Sequence, residues 1–155
     1  MPSRIITILG STGSIGTNTL DVVRQNPDRF RVFALAAGRN VELLARQIRE
    51  FNPEVVVVQD AEDVDRLRAL LSGSSVPELL SGPEALIGIA AASEIDTVMS
   101  SIVGVAGLEA TYEAITAYLD EKGVDAQDVF MEEYLNDVKA TDDPNLEVDI
   151  YVLVK

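Results

Sequence analysis

The sequence predicts an α/β fold of the doubly wound, Rossmann-like class, a parallel sheet with helices on both faces that ends in an antiparallel β-hairpin edge. Short β-branched runs alternate with helical patterns along most of the chain, which is typical of a parallel sheet with crossover helices. Val55–Val58 is a continuous apolar run, typical of a strand buried on both faces. Leu146–Val154 alternates apolar and polar residues, which indicates a strand with one solvated face.

Each element follows from a local pattern. Apolar and β-branched runs predict strands at 5–9, 32–37, 55–58, 78–80 and 95–100. Apolar residues at helical spacing predict helices at 14–25, 41–51, 60–71, 83–92 and 108–121. Two further strands, 128–135 and 146–154, predict a hairpin, because the segment between them is too short for a crossover helix. We expect residues 1–155 to form a single domain.

A glycine-rich turn follows the first strand and precedes the first helix. Gly10 permits a tight turn, Gly13 removes a Cβ where a backbone would approach a phosphate, and Gly16 lets the helix lie close to the sheet. The first gap between these glycines is one residue longer than in the usual dinucleotide fingerprint. The strand-to-helix context nevertheless favours a pyrophosphate site at the helix N-terminus, the alternative being a plain connecting turn.

The end of the second predicted strand bears on which dinucleotide binds. Enzymes that use the unphosphorylated cofactor place an acid there, to bind the ribose 2′-hydroxyl. This chain has Gly38, Arg39 and Asn40 instead, and Arg39 is suited to a 2′-phosphate. The residues therefore favour NADP(H). The alternative is that Gly38 makes a turn, Asn40 caps the next helix and Arg39 is merely solvated.

Composition narrows the class of protein. The chain has 155 residues, a formal net charge of −14, and neither cysteine nor histidine. Such a charge argues against a nucleic-acid partner, and no apolar run is long enough for a membrane helix. The N-terminus leads directly into the first strand and leaves no room for a signal peptide, so we expect a cytoplasmic location. The expected partner is a small-molecule dinucleotide, with neither nucleic acid nor membrane.

The basic residues change type along the chain. Residues 1–110 carry nine, all of them arginine, whereas residues 111–155 carry three, all of them lysine. The acidic excess is also concentrated in the later segment. This asymmetry suggests parts with different histories, and chance is the alternative.

Four segments together resemble one family: ITILGSTGSIGTNTLD (6–21), AAGRNV (36–41), LSGPEAL (80–86) and VMSSIVGVAGL (98–108). Residues 4 to about 115 resemble the N-terminal NADPH-binding domain of the 1-deoxy-D-xylulose 5-phosphate reductoisomerases, enzymes of non-mevalonate isoprenoid synthesis. The resemblance implies that the pyrophosphate is lined by residues of the turn that begins at Gly10, namely Thr12, Gly13, Ser14 and Ile15. It further implies that Gly38, Arg39 and Asn40 hold the adenosine phosphate, and that Ser101 and Ile102 lie near the nicotinamide.

The end of the chain resembles a different family. Residues 118–155 are similar to the closing helix and hairpin of gyrase-inhibitor-like small-molecule-binding domains, through EEYLND (132–137) and VDIYVLVK (148–155). We interpret the chain as an engineered chimera whose two parts are joined within the helix around residues 114–118. Residues 1–115 are then the NADP-binding portion and residues 116–155 a helix end and hairpin of different origin. A divergent natural protein is the alternative.

The resemblance also shapes the functional expectation. In the reductoisomerase family an Asn-Lys-Glu strand, metal-binding acids, substrate-phosphate ligands and a lid follow the part matched here, and we find none of them in this sequence. We therefore expect a weak or vestigial NADP(H) site, no catalytic or metal-binding residue, and a chain that is not an enzyme. The alternatives are a hybrid scaffold with no biochemical function and a small-molecule-binding or interaction protein that acts through its acidic tail. We expect a monomer, or a dimer paired through the edge strand at 146–154.

Overall fold

The computed structural model describes residues 3–73, 75–102, 111–112, 115–116, 119–120 and 123, together with the backbone of two strands at 130–134 and 148–152. Their contacts group the chain into two units, Met1–Ser101 and Ile102–Lys155. A single domain that spans residues 1–155 stays a prediction.

Strands and helices alternate strictly in the first unit. The elements are β1 (Arg4–Leu9), α1 (Ser14–Gln25), β2 (Phe30–Ala37), α2 (Val41–Phe51), β3 (Val55–Val58), α3 (Ala61–Leu70), β4 (Glu78–Ser81), α4 (Pro83–Ala90) and β5 (Thr97–Ser100). The sequence predicted the bounds of α1, α2 and β3, and the ends of the other elements differ from prediction by one or two residues, the usual uncertainty of an element boundary. No helix in the described part of the chain has the length and apolar character needed to cross a membrane.

The five strands form one parallel sheet in the order β4-β3-β2-β1-β5. The chain moves in one direction from β1 to β4, so right-handed crossovers place α1, α2 and α3 on one face. It then returns across the sheet to β5, which places α4 on the other face. The predicted α/β, Rossmann-like class is confirmed. Strand order reverses between β1 and β5, and in such folds ligands bind in the crevice at the carboxyl ends of those strands.

The core lies between the sheet and the layer formed by α1, α2 and α3. Side chains from all of these elements are fully or almost fully buried there, including Ile6, Ile8, Leu20, Leu35, Leu44, Ile48, Val56 and Leu67. On the opposite face of β1, the buried Thr7 hydroxyl donates a hydrogen bond of 3.2 Å to the Ile89 carbonyl of α4. Both faces of β1 are therefore covered, which explains the apolar character of its sequence.

An arginine on the surface links α1 to α2. Arg24 pairs with Asp21 on its own helix and with Glu50 on α2, and its guanidinium lies 5.4 Å from the centroid of the Phe51 ring. The hydrogen bond from Arg24 lowers the pKa of the Glu50 carboxyl group. All three charged side chains are substantially exposed, so we expect the pairing to contribute little to stability.

In the second unit, residues 111–112, 115–116 and 119–120 are helical, and Gly123 follows with a φ of 64°. They fall within the predicted helix at 108–121, whose other residues lie outside the described part. Strands β6 (Phe130–Tyr134) and β7 (Val148–Val152) pair antiparallel, with Phe130 opposite Val152, as a hairpin requires.

Within the second unit, β6 and β7 form a two-stranded antiparallel sheet. That this hairpin is the edge of the parallel sheet stays a prediction. Alternating polarity reveals that a strand has one solvated face, but it carries no information about which sheet the strand joins.

The buried face of α2 can be tested by substitution. Leu44 is fully buried in the core, whereas 53% of Val22 on α1 is exposed. We expect Leu44→Ala to lower the free energy of unfolding by about 2–5 kcal/mol, because it leaves a cavity. Val22→Ala, as the surface control, should change it by less than about 0.5 kcal/mol. Urea denaturation measures both values, and equal effects would contradict this description of the core.

Candidate cofactor site

The turn between β1 and α1 is held by backbone hydrogen bonds to the neighbouring strand. The Gly10 and Ser11 amides both donate to the Ala36 carbonyl near the end of β2, at 2.9 and 2.8 Å. Gly10 has a φ of 82°, a conformation that glycine adopts without steric cost. The Gly13 amide donates to the Gly10 carbonyl at 3.1 Å and closes the turn. The turn is therefore built as the sequence predicted, with its first glycine required by the backbone.

Gly16 and Gly13 differ in whether the fold leaves room for a side chain. A Cβ atom on Gly16 would lie 2.6 Å from the Ser11 Cα and closer still to the Gly10 carbonyl oxygen, so no other residue fits there. A Cβ atom on Gly13 would make an ordinary 3.4 Å contact with the Gly10 carbonyl oxygen. The fold itself thus demands glycine at position 16 but not at position 13. The sequence predicted that Gly13 lets a phosphate approach the backbone closely. That role concerns a bound ligand and not packing within the protein.

Helix α1 begins without a side-chain cap. Gly13 occupies the N-cap position, no acid lies in the first turn, and Ser14 and Ile15 are exposed. The first amides of an α-helix have no acceptor within the helix, and they carry partial positive charge from the helix dipole. Thr12, which is partly buried, precedes this terminus. The arrangement is chemically suited to an anion such as a phosphate.

Ser101 borders the same turn from the other side of β1. Its amide donates to the Leu9 carbonyl at 2.8 Å, and its carbonyl oxygen lies 4.0 Å from the position of a Gly13 Cβ atom. Its hydroxyl is buried and has no hydrogen-bond partner among the described residues. A buried hydroxyl of this kind is suited to a polar ligand atom. Ile102, the other residue predicted near the nicotinamide, is partly buried and begins the second unit.

The predicted phosphate residues at the end of β2 are all exposed. Gly38 has room for a side chain, because the nearest atom to its Cβ position is the Gln59 Oε1 at 3.9 Å. Asn40 caps α2, since its Oδ1 atom accepts a hydrogen bond of 3.2 Å from the Leu43 amide. This capping role was one of the sequence-based alternatives, and it leaves the side-chain amide group of Asn40 as a donor.

The Arg39 guanidinium group has no counterion in the described part of the chain. Glu42, the acid in the first turn of α2, instead pairs with Arg66 of α3. The pKa of the Glu42 carboxyl group is lowered, first by a hydrogen bond with its own backbone amide and then by Arg66. Arg39 is therefore an exposed cation beside a helix N-terminus, which suits it to an anionic ligand.

One pair of residues at the site was missed by the sequence analysis. The Ser11 hydroxyl donates to the Gln47 Oε1 atom, and the Gln47 Nε2 atom donates to the Ser11 carbonyl, both at 2.8 Å. Gln47 lies on the buried face of α2 together with Leu44 and Ile48. A polar residue three positions after Leu44 on an apolar helix face was the available signal, since a buried polar side chain needs a partner.

Parallel pairing brings the two parts of the site to one edge of the sheet. Leu9 at the end of β1 is opposite Ala36 near the end of β2, so the turn at 10–13 and the segment 38–40 leave the sheet side by side. Ser101 leaves β5 next to the same turn. Of the predicted site residues, all but Ile102 belong to the first unit.

The sequence model of the 1-deoxy-D-xylulose 5-phosphate reductoisomerase family matches residues 6–120. The chain belongs to this family. A reductoisomerase from Solibacter usitatus is 54% identical over 117 residues, which are 72% of this chain and 30% of that protein. One from Trichlorobacter lovleyi is 48% identical over 133 residues, which cover 82% of this chain and 34% of the relative. The chain thus spans about a third of the length of these curated reductoisomerases.

Solved reductoisomerase structures share the fold. The Zymomonas mobilis reductoisomerase in complex with NADPH has a TM-score of 0.69 and 41% identity, over 76% of this chain and 30% of that one. A reductoisomerase in complex with NADPH, fosmidomycin and magnesium also has a TM-score of 0.69, at 37% identity, over 74% of this chain and 28% of that one. The N-terminal part of the chain therefore corresponds to the NADPH-binding part of reductoisomerases.

One sequence-based interpretation is corrected by these comparisons. The prediction that the chain is not an enzyme is wrong, because the matched relatives and structures are reductoisomerases, which are enzymes. Missing motifs are a poor guide to activity in a chain that matches part of a family. The resemblance of residues 4 to about 115 to the reductoisomerases is confirmed, and the family match reaches residue 120. The join at 114–118 stays a prediction.

The two glycines should respond differently to alanine. We expect Gly16→Ala to lower the free energy of unfolding by about 1–3 kcal/mol or more, because the new methyl group overlaps the backbone of the turn. Gly13→Ala should lower it by less than about 1 kcal/mol, the usual cost of alanine at an N-cap. Urea denaturation of both variants gives the comparison. A larger loss for Gly13→Ala would contradict the close packing described for Gly16.

Proposed function

We propose that this chain is the NADPH-binding part of a 1-deoxy-D-xylulose 5-phosphate reductoisomerase and that it binds NADPH across the carboxyl edge of its sheet. One observation carries the proposal: the uncapped N-terminus of α1 follows the carboxyl end of β1, and Arg39, a cation without a counterion among the described residues, follows the carboxyl end of the neighbouring β2. Both features call for an anion, and NADPH offers a pyrophosphate and a 2′-phosphate. The Zymomonas relative, 41% identical, has been solved with NADPH and supports the same assignment.

In this proposal the pyrophosphate lies over the first turn of α1. The amides of Ser14 and Ile15 donate to its oxygens, and the lack of a side chain at Gly13 allows the close approach. Thr12 borders the pyrophosphate from the turn. Gly10 gives the turn its shape and Gly16 holds the helix against it, so neither needs to contact the ligand.

The adenosine 2′-phosphate then lies at the start of α2. Arg39 supplies charge and hydrogen bonds in a geometry that matches a phosphate. Asn40 donates through its amide group while its oxygen continues to cap the helix. Gly38 leaves room for the ribose, since nothing described lies closer to its Cβ position than Gln59.

The nicotinamide end is assigned to the side of β1 where β5 ends. The buried Ser101 hydroxyl is a hydrogen-bonding group for this end of the cofactor, and Ile102 is an apolar one. NADPH, when bound, supplies a hydride to the substrate, and the role of this part of the protein is to orient it.

We expect the affinity for NADPH to be low, with a dissociation constant on the order of tens of micromolar or weaker. Arg39, Asn40 and Ser14 are exposed, and solvent and salt screen the charges of exposed groups. We therefore expect weak binding because the residues that would contact NADPH are exposed.

A different origin for the last part of the chain also stays a proposal. The change from arginine to lysine after residue 110 supports it, and contacts divide the chain at residue 102. No contact within the described residues favours a scaffold without function or a binding role for the acidic tail.

Replacing Arg39 tests cofactor choice. Arg39→Ala should raise the dissociation constant for NADPH by about tenfold, because a charge-assisted contact to the 2′-phosphate is lost. Binding of NADH should change little, because NADH has a hydroxyl group in place of that phosphate. Isothermal titration calorimetry with both cofactors measures the difference.

The matched control is Arg68→Ala on α3. It removes the same charge from an exposed arginine. Arg68 lies in the last turn of α3 and pairs with Asp65. NADPH affinity should be unchanged in this variant. If the unaltered chain binds NADPH and NADH equally, the role of Arg39 is wrong. If it binds neither cofactor, the proposed function is wrong.

A further inference from the structure

The buried Ser11–Gln47 pair joins the glycine turn to the middle of α2. Ser11 is fully buried and only 5% of Gln47 is exposed. The two residues exchange two hydrogen bonds of 2.8 Å, one from the Ser11 hydroxyl and one to the Ser11 carbonyl. The carbonyl can only accept, so the Gln47 nitrogen must face it, and the amide orientation is fixed.

Every polar group of Ser11 is used in holding the turn in place. Its amide donates to the Ala36 carbonyl on β2, while its hydroxyl and carbonyl are bound by Gln47 on α2. The first turn of α1 then rests on Ser11, because a Cβ atom on Gly16 would lie 2.6 Å from the Ser11 Cα. A shift of Ser11 would therefore shift the helix N-terminus that packs on it.

From this chain of contacts we infer that Gln47 is a positioning residue for NADPH, which sets the place of the pyrophosphate site relative to the 2′-phosphate site. The inference rests on the proposed function. Asn40 caps the start of α2, and Gln47 follows seven residues later on the same helix, roughly 10 Å along its axis. One rigid helix thus carries Arg39 and Asn40 at its start and fixes the pyrophosphate turn through Gln47. The affinity of a ligand that contacts both sites depends on the distance between them.

The test compares a ligand that spans both sites with one that fills a single site. Gln47→Met keeps the length of the side chain and removes both hydrogen bonds to Ser11. We expect it to raise the dissociation constant for NADPH by about tenfold or more, because the pyrophosphate site is no longer held in register. Binding of 2′-AMP, which carries the 2′-phosphate but no pyrophosphate, should be unchanged. Calorimetry measures NADPH, and NMR titration measures 2′-AMP.

Thr7→Val is the matched control for lost stability. It also removes a buried side-chain hydrogen bond, from Thr7 to the Ile89 carbonyl, on the face of β1 that is covered by α4. It should lower the melting temperature as Gln47→Met does, yet leave NADPH affinity unchanged. Equal losses of NADPH affinity in the two variants would show that Gln47 acts only through general stability, and would overturn the inference.

Ser11→Ala provides a milder variant that retains the fold. It removes the hydroxyl and keeps the hydrogen bond from Gln47 to the backbone carbonyl, so its NADPH affinity should lie between those of the unaltered chain and Gln47→Met. If the unaltered chain binds NADPH and both substitutions leave its affinity unchanged, the positioning role is wrong while the proposed function stands. If the unaltered chain does not bind NADPH, the proposed function fails and this inference fails with it.

Discussion

The close packing of α1 on the backbone of Gly10 and Ser11 is the constraint on which the rest of the site depends. Because Gly16 has no side chain, the helix begins in contact with the turn and directs its free amides beyond the sheet edge. The turn cannot yield, since Ser11 is bound to β2 through its amide and to α2 through its other polar groups. Strand, turn and two helices therefore form one rigid frame around the proposed phosphate positions.

Local patterns in the sequence were sufficient to predict most of this frame. Val56, Val57 and Val58 are buried, so β3 is covered on both faces, as its uninterrupted apolar run indicated. Asn40 caps α2, as its position before Val41 indicated. Gly10 and Gly16 have the backbone roles assigned to them, because each role is a matter of sterics within a few residues. Arg39 is exposed at the end of β2, where the absence of an acid pointed to a phosphorylated cofactor.

The features that escaped prediction depend on contacts between distant parts of the chain. Ser11 and Gln47 are far apart in the sequence, and neither position alone reveals that each satisfies the other. The unpartnered hydroxyl of Ser101 depends on how β5 ends beside β1. The antiparallel pairing of β6 with β7, in contrast, followed from their own patterns. The reductoisomerase resemblance was recognised from the sequence, but the prediction that the chain is not an enzyme was wrong, since a segment of a family need not display every family motif.

The strand order has a consequence for how the chain folds during synthesis. Strand β1 leaves the ribosome before the other strands of the parallel sheet, yet its neighbour β5 is the last of them. The Ile5 amide donates its hydrogen bond to the Asp96 carboxylate, which is synthesised 91 residues later. One edge of β1 therefore stays open until the β5 segment emerges, and pairings that join such distant segments form slowly. During that interval the nascent sheet exposes an unpaired β-edge to other chains, which makes it a target for chaperones or for aggregation.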